Sequence, residues 1–67
     1  MRIRFGTWIH FCRFVSNPGG NSNIINACTS NGLYTIVFDT ADEAKEVYNQ
    51  ILVNGYYDAS DKEYRNY

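Results

Sequence analysis

Arg2-Ile3-Arg4-Phe5-Gly6-Thr7-Trp8-Ile9-His10-Phe11-Cys12-Arg13-Phe14-Val15 is the stretch on which the reading of this chain turns. Taken as one extended strand, it alternates sides with period two. Ile3, Phe5, Ile9, Phe11 and Val15 then share one side and can build a core. Arg2, Arg4, Trp8, His10, Cys12 and Phe14 share the other. A sheet surface of arginine, tryptophan, histidine and phenylalanine is costly to leave unused and marks a candidate binding face. Gly6 reads as a bulge within the strand.

The chain has 67 residues, which suit one domain spanning residues 1–67. A chain of this size has a marginal core, and pairing with a second copy is a common way to support one, so a homodimer is one expectation. Hydrophobic residues make up 45% and aromatic residues 16% of the sequence, which argues for a folded chain rather than a disordered one.

Downstream of the first strand, Ser16-Asn17-Pro18-Gly19-Gly20-Asn21-Ser22-Asn23 is a run of turn formers with no apolar residue, and reads as a flexible loop. Ile24 to Thr29 and Leu33 to Asp39 read as strands joined by a type I′ turn at Asn31-Gly32. That turn pairs Ser30 with Leu33, Thr29 with Tyr34, Ala27 with Ile36 and Ile25 with Phe38. Asn26 and Cys28 then lie across from Val37 and Thr35 on a more polar face.

Thr40-Ala41-Asp42-Glu43 is a capping box ahead of an apolar stripe at Ala44, Val47, Tyr48, Ile51 and Leu52, so a helix is expected over Ala41 to Val53. Gly55 is placed to end it. Ser60-Asp61-Lys62-Glu63 resembles a second capping box and predicts a short C-terminal helix. The expected fold class is α+β: a small antiparallel three-stranded sheet with one helix packed on one face, in the order βββα. Ile3, Phe5, Ile9, Phe11, Ile25, Ala27, Tyr34, Ile36, Phe38, Val47, Tyr48, Ile51 and Leu52 form the expected core.

Function is less legible. Six basic and seven acidic residues give a net charge of −1, without the basic excess of a duplex binder driven by counterion release. The charge is lopsided, with Arg2, Arg4 and Arg13 early and all the acidic residues from Asp39 onward. His10 and Cys12 share a face, but a nucleophilic pair also needs a group to orient the imidazole, and none is evident. Two isolated cysteines and one histidine fall short of a structural zinc set. Asn17-Pro18-Gly19-Gly20-Asn21 lacks the lysine and helix of a phosphate loop. No catalytic residue, metal or cofactor is therefore expected. His10 and Arg13 interrupt any apolar run, no small-residue cleavage site follows, and nothing approaches a membrane span, so the expected compartment is the cytoplasm with reduced thiols.

Two surfaces remain. The first is the Arg2, Arg4, Trp8, His10 and Phe14 face. The second is the acidic, tyrosine-rich end with Tyr56, Tyr57, Asp58 and Asp61, whose composition suits a protein contact. Together they predict a non-enzymatic interaction or regulatory protein that binds and occludes a macromolecular partner. Chains of this kind are common among inhibitors carried by phages and mobile elements. Trp8, Arg4 and Tyr57 are the expected anchors of the contact. The alternative is a single-stranded nucleic-acid module using the arginine–tryptophan face to hold phosphates and stack bases.

Overall fold

A computed structural model describes Met1–Tyr67. The first stretch is not one strand but a hairpin. β1 (Arg2–Phe5) and β2 (Trp8–Val15) run antiparallel, joined by Gly6-Thr7. Gly6 takes φ 66° and no non-glycine residue has positive φ. This matches a type II′ turn, which wants glycine at its first central position and continues the natural twist of the strands. The Gly6 bulge of the sequence reading is thus replaced by a reversal of the chain.

The reversal changes which residues share a side. Ile3 faces His10 and Phe5 faces Trp8, while Arg2 faces Phe11 and Arg4 faces Ile9. Directly paired residues lie on one side of a sheet. His10 and Cys12 therefore turn inward with Ile3 and Phe5, and all four are buried. Ile9 and Phe11 turn outward and are exposed, at 54% and 60%. Both were expected in the core. A bulge between Cys12 and Phe14 then shifts the register, so Phe14 lies outside and Val15 returns to the interior.

β3 (Ile24–Thr29) and β4 (Gly32–Val37) form the second hairpin. Its pairs are Thr29 with Gly32, Ala27 with Tyr34 and Ile25 with Ile36, two positions away from the expected register. Positive φ falls on Gly32, at 113°, rather than on Asn31. The type I′ turn needs positive φ at both central residues, so the reversal is made by Ser30-Asn31 with glycine after it. The Thr29 hydroxyl accepts from the Asn31 amide (3.0 Å) and donates to the Gly32 carbonyl (2.8 Å), which holds this tighter arrangement. A slip of two keeps each side chain on its own face, so Ile25, Ala27 and Ile36 are still buried.

The loop before β3 is tied at its ends. Ser16 and Asn26 exchange two hydrogen bonds, and the Asn23 side chain donates to the Phe38 carbonyl at 2.9 Å. The helix α1 (Ala41–Asn54) follows its signals closely. The Thr40 hydroxyl accepts from the Glu43 amide at 3.1 Å, and Gly55, at φ 70°, donates to the Ile51 carbonyl. Ala44, Val47 and Ile51 are buried, whereas Leu52 is exposed and outside the core. This helix is not long and apolar enough to cross a membrane.

The expected C-terminal helix is absent. Two strands take its place: β5 (Tyr56–Asp58), parallel to β1, and β6 (Glu63–Asn66), antiparallel to β4. Asp58 accepts from the Ser60 amide at 3.0 Å, and Lys62 donates its amide to the Ala59 carbonyl. These bonds make a turn where a helical cap was expected. The sheet therefore has six strands, mixed, in the order β5-β1-β2-β3-β4-β6, rather than three antiparallel ones. The fold remains α+β.

That order forces curvature. A flat six-stranded sheet would hold its edge strands about 24 Å apart. The connection from Asp58 to Glu63 can reach only about 18 Å. The sheet must curl, and the Phe5 and Tyr34 rings confirm it: they stack at 4.3 Å although β2 and β3 lie between their strands in the order. The concave side encloses Ile3, Ile25 and Ile36, and α1 packs into the same core through Val47 and Ile51, against β3 and β5. Lys62 and Glu43 pair at 2.7 Å and tie the β5–β6 connection to the start of the helix.

Candidate functional site

The curled sheet presents two surfaces of different chemistry. Reading the register across the strands gives the outer, convex face in rows. One row is Asp58, Arg4 and Ile9. The next is Tyr56, Arg2 and Phe11. A third runs from Phe14 through Cys28 to Leu33, and the backbone bond from Tyr67 to the Leu33 carbonyl extends it to Tyr67. Phe14, Leu33 and Tyr67 are all exposed, so this is an apolar band across the sheet. Beyond it lie Asn26, Thr35 and Arg65, then Ile24, Val37 and Glu63.

Arg2, Arg4 and Arg65 thus flank the apolar band, and Arg13 is exposed in the bulge beside Phe14. These four supply most of the six basic residues in the chain. Only Asp58 and Glu63 oppose them on this face. Asp58 is held below the usual carboxylate range, chiefly by the hydrogen bonds it accepts from the Ser60 hydroxyl and amide. It remains a fixed negative charge next to Arg4. Arg4 itself donates from Nε to the Gly6 carbonyl at 2.8 Å.

The inner face differs. At the end of the sheet carrying the two hairpin turns, Phe5, Trp8, His10, Asn31, Tyr34 and Tyr64 line a cavity of about 340 Å³. His10 is 6% exposed, and its Nδ1 lies 2.8 Å from the Asn31 side-chain amide. Phe5 meets His10 edge-on at 5.5 Å and stacks on Tyr34, with Tyr64 tilted against it at 4.8 Å. Trp8 stands at the rim with 69% of its surface exposed.

The residues singled out from the sequence are therefore divided. Arg2, Arg4 and Phe14 share the outer face with Tyr56 and Asp58. Trp8 and His10 belong to the inner face and its cavity. Tyr57 also turns inward, half-buried against Phe38 with ring centres 6.4 Å apart, and burial pushes its hydroxyl up from the ordinary tyrosine value. Asp61 is exposed in the turn before β6. Cys12 is 1% exposed, and desolvation raises its thiol pKa. Its Sγ points to the His10 carbonyl, not to the imidazole.

Sequence reasoning missed Ile9, Phe11, Leu33, Arg65 and Tyr67 on the outer face, and Tyr34, Tyr64 and Asn31 around the cavity. One signal was present. Phe5-Gly6-Thr7-Trp8 is a two-residue turn sequence between apolar residues, and reading it as a hairpin exchanges the two faces of β2. No known protein family, curated protein or solved structure matches this chain. The functional reading therefore rests on these two surfaces.

Proposed function

We propose that this is a non-catalytic binding protein that covers a protein partner with the outer face of its sheet. The observation that carries the reading is the row Phe14–Cys28–Leu33–Tyr67, exposed at Phe14, Leu33 and Tyr67, with arginines on both sides. An apolar centre rimmed by charge, with aromatic and arginine side chains prominent, is the usual anatomy of a protein contact. The complementary partner surface is an apolar patch with an acidic rim. A second copy suits this face poorly, because two-fold pairing would set one arginine field against the other. The mechanism is occlusion: a stiff, convex sheet face excludes whatever else would use the partner's surface. The cytoplasm, where Cys28 would stay a free thiol, is the compartment this reading assumes.

A single-stranded nucleic-acid interface is the second reading, favoured by Phe11 and Phe14 lying among Arg2, Arg4 and Arg13. Ile9, Ile24 and Leu33 weigh against it, since aliphatic side chains offer bases no ring to stack on.

The test is affinity capture with the wild-type chain, Phe14→Asp and Val53→Asp, the last on the exposed side of the helix. The reading expects a protein retained by wild type and Val53→Asp and lost with Phe14→Asp, by about a hundredfold in affinity for a central anchor. Retention by Phe14→Asp overturns it. So does steeply salt-dependent binding of mixed-sequence oligonucleotides with no protein retained.

A further inference from the structure

The cavity on the inner face is separate from the outer docking surface and has its own chemistry. At about 340 Å³ it falls at the lower end of the range of small-ligand sites. Its floor is fixed. Phe5, His10, Tyr34 and Tyr64 pack on one another at ring distances of 4.3 to 6.3 Å. Trp8 joins none of these pairs and leaves an indole at the rim with most of its surface in water. An indole that pairs with no other ring, at the edge of a cavity lined by packed aromatic side chains, is free to stack on a planar ligand.

The polar groups narrow the ligand. The Asn31 side-chain nitrogen lies 2.8 Å from His10 Nδ1, and an amide nitrogen only donates, so the neutral tautomer that fits this contact carries its proton on Nε2. Nε2 has no protein partner, yet no sealed side-chain nitrogen or oxygen in the structure lacks one. His10 is nine-tenths buried, so this N–H is its polar opening onto the cavity. Asn31 keeps its Oδ1 as a free acceptor, and the Tyr34 and Tyr64 hydroxyls add groups that both donate and accept. None of the six lining side chains is an acid, a lysine or an arginine. A phosphate has no cation here and an ammonium group has no carboxylate. An aromatic cage for a quaternary ammonium also needs several ring faces turned to one point. Phe5 and Tyr34 instead lie face to face, 15° from parallel.

We infer that this cavity binds a nucleobase. The planar ring lies between the Trp8 indole and the Tyr34–Tyr64 wall, and an edge carbonyl or ring nitrogen accepts from His10 Nε2. The base can come from a free nucleoside or from a single strand whose phosphates stay outside the cavity. Because the floor is already ordered, binding would immobilise little besides Trp8.

The full chain tests this by NMR, following the Trp8 indole N–H and the His10 ring during titration with the four ribonucleosides, a mixed-sequence single-stranded oligonucleotide and tetramethylammonium chloride. At least one nucleoside should shift both signals, with a dissociation constant on the order of 0.1–1 mM for a ligand of this size. Trp8→Ala should weaken binding by about tenfold or more, and Trp8→Phe should restore most of it, as expected for stacking. Phe14→Asp should leave it unchanged, which separates this site from the outer face. An oligonucleotide that binds tenfold more tightly than its nucleosides assigns the strand as the source of the base; equal affinity assigns the free nucleoside. Silence with every nucleoside, a response to tetramethylammonium alone, or undiminished binding in Trp8→Ala overturns the proposal.

Discussion

Ile3 and His10 stand directly opposite each other across the first hairpin, and both are buried. A single continuous strand would place them on opposite sides of the sheet, because three and ten differ in parity. Everything that distinguishes the outer face from the cavity follows from this pairing. It puts the imidazole against Phe5 and Tyr34, and it turns Ile9 and Phe11 out beside the arginines.

The pairing depends on Gly6. A Cβ added there would meet only the Tyr64 hydroxyl, at an ordinary 3.8 Å, so the obstacle to substitution is the positive φ rather than space. Gly6→Val should therefore cost about 1–3 kcal/mol of folding stability. Urea unfolding measures it. An unchanged midpoint would mean that position 6 is extended and that the hairpin is not there.

The two faces of the hairpin should also differ in how they tolerate polarity. Ile3→Ala empties a fully buried position and should cost about 2–5 kcal/mol. Phe11→Ser, on the exposed face, should stay within about 0.5 kcal/mol. Comparable losses for both, by the same unfolding assay, would return Phe11 to the core.

The cysteines should report the same division. Cys12 is sealed inside and its thiol is pushed up by burial, while Cys28 is half-buried on the outer face next to Phe14. Near neutral pH, iodoacetamide should modify Cys28 well before Cys12, as read by mass spectrometry of digested samples. Cys12 labelling as fast as a free thiol would contradict its burial and reopen a reactive role for it.

The tie between the helix and the β5–β6 connection predicts a pH dependence with two limbs. The Lys62 hydrogen bond, helped by the Asp39 amide, lowers the Glu43 carboxyl, and the same bond to Glu43 raises Lys62. A lowered carboxyl contributes stability above its unfolded pKa and loses it as pH falls through its folded value. A raised ammonium contributes stability below its unfolded pKa and loses it as pH rises through its folded value. Asp58 adds to the acid limb in the same sense. Glu43→Gln should shallow both limbs of a thermal-midpoint profile against pH. An unaltered profile would show that the pair is too solvated to matter.

The helix was legible because its signals are local. Thr40, Glu43 and Gly55 occupy the cap positions that the Ala44–Val47–Ile51 stripe requires, and the structure uses all three. β3 was legible from its alternation, and its turn was placed one position late, which moves the register by two, because one glycine can serve either of two turn types. The sixth strand was out of reach for a different reason. Glu63-Tyr64-Arg65-Asn66 turns only Tyr64 inward among the aromatic core. One partly buried residue in four gives no period, and the pairing that makes it a strand comes from β4, which is distant in sequence. The binding face suffered most, because its parity hangs on two residues, Gly6 and Thr7.

The most direct test of the account is a set of proton NOE contacts in the free protein. The curled sheet and its inverted hairpin predict strong ring-to-ring contacts from Phe5 to both Tyr34 and Tyr64, and from His10 to Tyr34. Absence of contacts from Phe5 to Tyr34 and from Ile3 to His10 would restore the single long strand, in which residues 3 and 10 stand about 23 Å apart, and dissolve both proposed surfaces.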